Sequence, residues 1–388
     1  MFWHYIHFFD IALWLTIASS VSYVAFYAFV HVVCRRKPHP PKSDGHKSSF
    51  LILYPAYNED KVIVHSVEQF LKQDYPSDKY HVMVISDHQQ DTTNNRLRQL
   101  PVTLLLPSFK RSSKAKALRF AMANVTSGYD YVVVLDADNV VNPDFLSLLN
   151  GVANTMDYRA IQCHRCAKNA DGAVSMLDGI SEEINNTLFR KSHNAIGLSS
   201  ALIGSGMCFD FAWFKSNVCT LSTAGEDREL EVMLLKQGFY IKYAEHIPVY
   251  DQKVSNEENF QRQRQRWMSA QVNCLLTMLP YLPKAIVKGN VNYIDKTLQQ
   301  MLIPRSVLLV LSFILAVLSI MLTPCWSLKW IVLFVVLCMS LLLAIPRQMR
   351  TMALLGNMTR LPLLAWKMMK GMRHIDRKNR EFLHTSHE

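Results

Sequence analysis

The sequence is poor in charged residues, and acids are the scarcer kind. Only 19% of its 388 residues are charged, with 31 Asp and Glu against 42 Lys and Arg, while 50% are apolar. This composition excludes a disordered or fibrous chain, and it is more apolar than that of most cytosolic enzymes. The basic excess lies in residues 261–305 and 347–388. Both segments flank apolar stretches, which favours anionic lipid head groups over nucleic acid as partners.

A cysteine framework is also lacking. The eight cysteines are scattered without disulfide-like spacing, so we expect reduced thiols in a cytosolic compartment. Cys163 and Cys166, with His164 between them, have the spacing of half a zinc site. No second pair with matching spacing follows, so a thiol-lined strand is the preferred interpretation. His246 could supply a metal ligand, but a lone histidine before a proline is more often a loop residue.

Charge is missing altogether from three segments. Residues 11–33 hold no Asp, Glu, Lys or Arg and would span about 34 Å as a helix, enough to cross a hydrocarbon core. Residues 306–328 and 330–346 predict a second and third span joined by a tight hairpin at Pro324. Basic residues follow the first span at once, so the positive-inside rule places the central region in the cytoplasm.

The central region reads as an alternating α/β domain. Short apolar runs rich in β-branched residues predict four strands, at 50–53, 81–86, 102–106 and 131–135. Helical patterns fall between them, at 60–72 and 114–124. Such alternation predicts a mostly parallel sheet, whose ligands collect at the carboxyl ends of its strands.

Polar residues follow three of these strands. Pro55-Ala56-Tyr57-Asn58-Glu59 follows the first, Asp87 the second, and Asp136-Ala137-Asp138 the fourth. Residues two apart in an extended chain point the same way, so Asp136 and Asp138 can present two carboxylates to one point. Mg²⁺ or Mn²⁺ takes oxygen ligands and keeps positions for phosphates, which suits a nucleotide diphosphate. The alternative is a pair of surface acids in a turn.

Asp227 lies at the start of a later helical pattern, after Gly225 and Glu226. A carboxylate there could act as the general base of an inverting sugar transfer, taking the proton of the attacking hydroxyl. The alternative is that the helix dipole favours an acid in the first turn without any catalytic role.

A third motif follows in a segment that is helical from residue 257 onward. Gln263, Arg266 and Trp267 are spaced at i, i+3 and i+4, which places them on one helix face. An amide, a guanidinium and an indole together could hold a pyrophosphate and stack on a sugar ring. The alternative is a basic interfacial helix with a tryptophan membrane anchor.

The order of these motifs along the chain is more specific than any one of them. The series is P-A-Y-N-E at 55–59, Asp87, K-A-x-A-L at 114–118, D-A-D at 136–138, G-S-G-M at 204–207, G-E-D at 225–227 and Q-x-x-R-W at 263–267. It closely resembles the membrane-bound family 2 glycosyltransferases, which include cellulose, chitin and hyaluronan synthase-like enzymes. The resemblance implies an α/β GT-A fold, a UDP-sugar donor, inversion at the anomeric carbon, and Mg²⁺ or Mn²⁺ as cofactor.

The resemblance also implies roles by position. The residues it assigns to the donor are Tyr57, Glu59, Asp87, Lys114, Asp136, Gln263 and Arg266, with Asp87 reading the uracil. Asp136 and Asp138 would meet the metal, Asp138 as the more direct ligand, and Asp227 would be the catalytic base. The residues it assigns to the acceptor are Gly204, Ser205, Gly206, Met207 and Trp267. The predicted organisation is an anchor at 1–34, a GT-A domain at 35–267, interfacial helices at 268–305, a membrane hairpin at 306–346 and a basic interfacial tail at 347–388.

We therefore expect a multi-pass protein of the bacterial inner membrane with a cytoplasmic catalytic domain. Its partners would be a UDP-sugar, a glycan or lipid-linked acceptor, membrane lipids and a second copy of the chain or an envelope-assembly partner, without nucleic acid. Three other functions compete with polysaccharide or lipid-linked glycan synthesis. They are transfer of a single sugar to a lipid, an inactive membrane-tethered nucleotide-binding regulator, and a transporter component, for which three spans without interior acids are few.

Overall fold

The computed structural model describes most of the chain. The described residues are 2–34, 45–126, 128–155, 158–169, 172–223, 225–253, 257–351 and 356. The basic residues predicted to follow the first span, and the predicted tail beyond residue 351 apart from Gly356, lie outside the described residues.

An eight-stranded sheet forms the centre of the described structure. Its strands are β1 (Phe50–Tyr57), β2 (Tyr80–Asp87), β3 (Thr103–Leu105), β4 (Tyr131–Val134), β5 (Val140–Val141), β6 (Ala160–Ala167), β7 (Met207–Asp210) and β8 (Ile241–Asp251). Their spatial order is β3-β2-β1-β4-β7-β6-β8-β5. Four of the seven neighbouring pairs are parallel, and the pairs that involve β7 or β5 are antiparallel. The predicted mostly parallel α/β fold is confirmed.

Helices cover both faces of the sheet and extend beyond it. The described helices are α1 (Phe2–Val33), α2 (Ile63–Phe70), α3 (Asp91–Arg98), α4 (Lys114–Asn124), α5 (Phe145–Ala153), α6 (Ala173–Asn185), α7 (Ser192–Ala195), α8 (Phe211–Asn217), α9 (Glu226–Lys236), α10 (Glu257–Met278), α11 (Leu282–Val287), α12 (Val291–Met301), α13 (Arg305–Leu322) and α14 (Ser327–Ala344). A π-helical segment, Asn186–Lys191, joins α6 to α7.

Strand β1 is longer than the predicted 50–53. It stays paired with β2 as far as Tyr57 opposite Asp87, because backbone pairing in a parallel ladder does not require the apolar run to continue. Helix α2 starts three residues later than predicted, since the chain first turns after β1 with Asn58 at a φ of 52°. As a result, Tyr57 ends the strand, and Asn58 and Glu59 lie in the turn that follows it at the edge of the sheet.

Alternating side chains of β1 face two separate cores. Leu51 and Leu53 pack with α4 on one face, whereas Phe50, Ile52 and Tyr54 pack with α2 and α5 on the other. Because both faces of the strand are buried, its sequence is a continuous apolar run and does not alternate between apolar and polar residues. The polar residues that follow the strands therefore lie on a rigid support.

Three described helices, α1, α13 and α14, are long and apolar enough to cross a membrane. They match the three predicted spans, and the predicted hairpin is the short turn Pro324–Trp326. Large apolar side chains such as Phe9 and Leu322 are more than 70% exposed, as expected of surfaces that face lipid. Lys329 of α14 forms an ion pair with Asp10 of α1 and so joins the two helices. The predicted domain boundaries stay a prediction.

A polar cluster fixes α1 to the rest of the chain. Asp295 of α12 accepts hydrogen bonds from Tyr23 and Tyr27 of α1 at 2.9 and 2.7 Å. His193 of α7 lies 3.0 Å from the same carboxylate and stacks on Tyr27 with 3.8 Å between ring centroids. The cluster therefore holds α1 against α7 and α12.

Candidate active site

The carboxyl ends of β1, β2 and β4 meet at one edge of the sheet. Tyr57 pairs in register with Asp87, and Leu53 pairs with Val134, two residues before Asp136. A cavity of about 540 Å³ opens at this edge. The predicted residues in its wall are Tyr57, Glu59, Asp87, Lys114, Asp136, Asp138, Gly204, Asp227, Gln263, Arg266 and Trp267. Folding thus gathers nearly all of the predicted site into one space.

Lys114, the first residue of α4, lies among the acids of this cavity. Its ammonium group donates hydrogen bonds to the carboxylate of Asp136 and the carbonyl oxygen of Gly204, and lies 3.5 Å from Glu226. Burial alone would lower the pKa of Lys114, but the carboxylates of Asp136 and Glu226 raise it above its ordinary value. The lysine therefore stays charged and ties together three separate segments.

Two carboxylates follow β4, as predicted. Asp136 keeps 33% of its side chain exposed, whereas Asp138 is buried and accepts hydrogen bonds from the backbone N–H of Gln252 at 2.9 Å and from the Asn139 side chain at 3.2 Å. Burial would raise the pKa of Asp136, but nearby cations, above all Lys114, hold it below its ordinary value. Asp136 is therefore ionised at neutral pH.

This pair of carboxylates fits Mg²⁺ or Mn²⁺. Both line the same cavity, and each ionised carboxylate offers oxygen atoms that can accept several bonds at once. Hard cations of this kind take a few carboxylate oxygens and leave the remaining positions to water and phosphate. Asp136 and Asp138 are the residues that would hold the ion.

Asp227 lies in the first turn of α9 and lines the same cavity as Lys114 and Asp136. A methyl group placed on Gly204 would lie 3.8 Å from Asp227 Oδ2 and 3.8 Å from Lys114 Nζ, so the carboxylate is a close neighbour of the lysine. Its other oxygen accepts the backbone amide of Arg228 at 2.8 Å. Asp227 is half-buried and lines the cavity, so its carboxylate can meet a hydroxyl that enters there.

The Q-x-x-R-W motif lies on α10, with Gln263, Arg266 and Trp267 all facing the cavity. Arg266 is close enough to Asp136 to lower the pKa of that carboxyl. The Oε1 atom of Gln263 is buried and has no hydrogen-bond partner within the described ranges, which costs about 1–3 kcal/mol unless a ligand donates to it. This placement favours the substrate-binding interpretation over the membrane anchor, because an anchor would turn these side chains towards lipid.

Tyr57, Glu59 and Asp87 line the cavity where β1 and β2 end. The buried carboxylate of Asp87 lies 2.6 Å from Nδ1 of His88, which has a φ of 59°. The rings of Tyr57 and His88 meet edge to face, with 5.5 Å between their centroids. A carboxylate beside two aromatic rings can hydrogen-bond the edge of a nucleobase and contact its face.

The four residues of the G-S-G-M motif divide between the cavity and the core. Gly204 lines the cavity, but Ser205, Gly206 and Met207 do not. Ser205 and Met207 are fully buried, and Gly206, at a φ of 63°, has no room for a side chain because a Cβ would lie 3.0 Å from Val249. These three residues pack into β7 and its turn beneath Gly204, and their assignment to the acceptor stays a prediction.

Sequence reasoning missed Glu226 and Arg165, which also line the cavity. Burial and the neighbouring Asp227 raise the pKa of Glu226 to about 7, although Lys114 opposes the shift. Arg165 of β6 forms a buried ion pair with Asp251 and lies within electrostatic reach of Asp136. In the sequence, Glu226 could have been found from its position directly before Asp227. Arg165 could have been found from its position between His164 and Cys166.

His164 and Cys166 lie outside this cavity, close to Glu183 of α6. The side chains of these three residues are near enough to one another to hold a metal ion. His164 contacts the Tyr243 hydroxyl through Nδ1 and lies 3.2 Å from Glu183 through Nε2. Burial would lower the pKa of His164, but hydrogen bonds with Cys166 and Glu183 raise it to about 10. Hydrogen bonding accounts for the cluster. His246 of β8 is also outside the cavity, and all eight cysteines are free.

Comparison with known proteins identifies relatives of the region that carries these motifs. The family model described as glycosyltransferase like family 2 matches residues 47–270. Glucomannan 4-beta-mannosyltransferase 1 of Oryza sativa subsp. japonica is 23% identical over 245 residues, 59% of this chain and 46% of that protein. The dolichyl N-acetyl-alpha-D-glucosaminyl phosphate 3-beta-D-2,3-diacetamido-2,3-dideoxy-beta-D-glucuronosyltransferase of Methanococcus voltae is 20% identical over 210 residues, 48% of this chain and 62% of that protein. The chain spans about half the length of the curated relatives it matches.

A solved structure shares the fold over nearly the whole chain. The mannosyltransferase PcManGT from Pyrobaculum calidifontis, in complex with GDP-Man and Mn²⁺, aligns with a TM-score of 0.58 and 16% identity over 95% of this chain and 98% of that one. The sheet order, the motifs at its edge and a family model that covers more than half of the residues agree. The chain therefore belongs to glycosyltransferase family 2 and has a GT-A-like α/β fold.

Proposed function

We propose that the chain transfers a sugar, with inversion, from a UDP-sugar to a hydroxyl of a membrane-borne glycan, either a growing polysaccharide or a lipid-linked glycan. The observation that carries this proposal is the convergence of Asp136, Asp138, Lys114, Asp227 and Arg266 on one cavity. Such a site combines a place for a metal and a diphosphate with a carboxylate suited to remove a proton. The three apolar helices support attachment to a membrane, and we place the site at the cytoplasmic face of the bacterial inner membrane.

Binding of the nucleotide-sugar donor is supported by the carboxylates of Asp136 and Asp138 and by the guanidinium of Arg266, all in the cavity wall. When bound at Asp136 and Asp138, a divalent cation would act as a Lewis acid that neutralises the diphosphate. Arg266 offers a planar fork of donors for diphosphate oxygens. PcManGT, which shares the fold, was solved with GDP-Man and Mn²⁺. The nucleobase is therefore the first variable to test, with UDP as our expectation from the motifs.

The reaction we propose is a single displacement. The acceptor oxygen attacks the anomeric carbon from the side opposite the diphosphate, and Asp227 takes the hydroxyl proton. The bond from the anomeric carbon to the diphosphate oxygen breaks, and its electron pair leaves with the nucleoside diphosphate. Lys114 and Arg266 lie where they can balance the charge that develops. One displacement inverts the configuration at the anomeric carbon.

Transfer of a single sugar to a lipid acceptor is the second candidate, and a specific observation favours keeping it. The cavity wall includes Val24, Leu309 and Leu341, which belong to the three apolar helices. The name of the Methanococcus voltae relative describes transfer to a dolichyl-phosphate-linked sugar. Both points fit an acceptor that arrives from the membrane, whether or not many sugars are added in succession.

The proposal is tested with the purified full chain in detergent or nanodiscs and a panel of UDP- and GDP-sugars. We expect release of UDP from at least one UDP-sugar, and we expect Asp227→Asn to lower turnover at least about 10²-fold, the usual scale of general base catalysis, with little change in UDP affinity. Asp91→Asn is the matched control, because Asp91 is also an acid in the first turn of a helix but is exposed and lies outside the cavity.

Three results would count against the proposal. Release of nucleoside diphosphate from none of the sugars would contradict the enzyme class. A preference for GDP-sugars would correct the donor. A loss of UDP affinity in Asp227→Asn that matches the loss of turnover would move Asp227 from the catalytic base to the nucleotide pocket.

A further inference from the structure

The wall of the cavity changes from charged to apolar along its surface. Carboxylates from the ends of β1, β2 and β4 line it where the donor is proposed to bind. Elsewhere the wall consists of apolar side chains from four helices, including Val24 of α1, Ile180 of α6, Leu309 of α13 and Leu341 of α14. A nucleotide-sugar has no apolar part that would fill such a region, so a second ligand must account for it.

Interfacial helices contribute a third kind of surface to the same cavity. Gln271 lies about two turns beyond Gln263 on α10, and Gln299 and Gln300 come from α12. Gln271 donates to the carbonyl oxygen of Gln300 at 3.0 Å, and Arg228 donates to the Gln300 side chain at 2.7 Å. Side-chain amides both donate and accept hydrogen bonds, which suits the hydroxyl groups of a sugar.

Arg305 lines the cavity at the first residue of α13, where the interfacial region meets the membrane hairpin. Its Nη2 atom donates to the Ser181 carbonyl oxygen at 3.1 Å and to Asn185 Oδ1 at 2.8 Å, both neutral acceptors. Its Nη1 atom is buried and has no hydrogen-bond partner in the part of the chain that the structure describes. A buried guanidinium nitrogen without an acceptor is costly unless a ligand accepts a hydrogen bond from it.

The charges around Arg305 do not balance. Arg190 and Arg264 lie within electrostatic reach, but each has its own carboxylate: Arg190 pairs with Glu182 at 2.9 Å, and Arg264 pairs with Asp178. Among the described residues no carboxylate lies within ion-pair distance of Arg305. The N-terminus of an 18-residue helix adds a partial positive charge at the same place. The position is therefore complementary to an anion.

We propose that the acceptor is a lipid-linked saccharide, and that Arg305 binds the phosphate group joining its saccharide to its lipid chain. The inference rests on the proposed function and names its acceptor. The saccharide hydroxyl reaches Asp227, the glutamine side chains hold the sugar, and the lipid chain lies along the apolar wall. The bond changes are those of the displacement above. A polysaccharide end without lipid needs neither the apolar wall nor the anion site.

The test measures binding of polyprenyl monophosphate to the full chain by native mass spectrometry from detergent. Polyprenol of the same length is the probe without phosphate, and inorganic phosphate is the probe without lipid. We expect polyprenol to bind at least about tenfold more weakly, and inorganic phosphate not to displace the lipid at equal concentration. We expect Arg305→Gln to weaken lipid binding at least about tenfold, with Arg305→Lys in between, because lysine keeps the charge but loses the fork.

Arg347→Gln is the matched control, because Arg347 is an exposed arginine near the other end of the hairpin and lies outside the cavity. Thermal unfolding of each variant shows whether it is folded. Equal binding of polyprenyl monophosphate to wild type and a folded Arg305→Gln would overturn the proposal. So would equal binding of polyprenol, or displacement by inorganic phosphate at equal concentration, which would make this a site for free phosphate.

The binding assay does not depend on catalysis, so the two proposals fail separately. If polyprenyl monophosphate binds through Arg305 but no nucleotide-sugar is turned over, the proposed function fails and the phosphate site stands. If nucleotide-sugars are turned over and free oligosaccharides are extended as efficiently as lipid-linked ones, the function stands and the lipid-linked acceptor is refuted.

Discussion

Replacing Lys114 with methionine would remove the one described cation that contacts both Asp136 and Glu226. Methionine keeps most of the side-chain length and cannot donate to the carbonyl oxygen of Gly204. Only 14% of the Lys114 side chain and 8% of the Glu226 side chain are exposed, so water cannot replace the lost charge. Lys116→Met is the matched control, since Lys116 lies two residues along the same helix and is exposed.

The expected loss follows from the burial of this cluster. Removing one partner of a buried ion pair costs roughly 3–5 kcal/mol, and we expect about 3 kcal/mol because Asp136 keeps 33% of its side chain exposed to solvent. For a domain of this size 1 kcal/mol shifts Tm by roughly 2–4 °C, so the variant should unfold about 6–12 °C below wild type. The measurement is thermal unfolding in detergent with EDTA present, followed by tryptophan fluorescence.

The pH dependence gives a sharper test of the same reasoning. In wild type the pKa of Glu226 rises from 4.5 to about 7, so its contribution to stability is present below 4.5 and is lost as the pH rises to 7. Lys114 lowers this pKa, so in Lys114→Met the pKa is higher still and the loss continues above pH 7. From pH 7 to 8 the free energy of unfolding of the variant should therefore fall more steeply than that of wild type, in which most of this loss is already complete.

Three results would refute this account. A Tm of Lys114→Met within 2 °C of wild type would show that the cluster is not held together by the lysine. An identical decline of Tm with pH in both proteins would show that Glu226 does not titrate against Lys114. A comparable Tm loss in Lys116→Met would mean that the helix itself, and not the buried charge, is sensitive to the change.

Three further predictions concern the metal, the Q-x-x-R-W motif and a distant histidine. EDTA should abolish transfer, Mn²⁺ or Mg²⁺ should restore it, and Asp138→Asn should lose activity while remaining folded. Full activity in the presence of chelator would refute the assignment of a metal to this site. Arg266→Lys should slow transfer at least about tenfold, roughly 1.4 kcal/mol, and Trp267→Ala should reduce transfer more than hydrolysis of the donor. Normal transfer by both variants, with membrane fractionation unchanged, would return the motif to the role of an interfacial anchor. The charge of His164 should contribute on the order of 5 kcal/mol below pH 6.5, lost as the pH rises through about 10. Glu183→Gln should therefore flatten the fall in Tm between pH 7 and 10, and an unchanged slope would exclude this ion pair as its cause.

Local sequence was enough to locate four of the eight strands, the three apolar helices and the motifs. A run such as Val132–Val134 predicts a buried strand from its own composition, and the acids that follow it lie at the carboxyl end of that strand wherever the sheet packs. The same holds for the spacing of Gln263, Arg266 and Trp267, which fixes their common helix face. These inferences needed a window of a few residues, which is the range over which backbone period and apolar pattern act.

Residues that acquire their role from distant contacts could not be found in this way. Glu226 has a shifted pKa only because folding places Lys114 and Asp136 beside it, and Met207 is buried because β7 inserts between β4 and β6. In the sequence, Arg305 is only a cation directly before an apolar run. Its contacts with Ser181 and Asn185, and the burial of its Nη1 atom, depend on how α6 packs against α13. Sequence alone determined which chemical groups the chain carries and which elements hold them. Tertiary structure decided which groups share a cavity, because burial and charge pairing arise only between elements that are far apart along the chain.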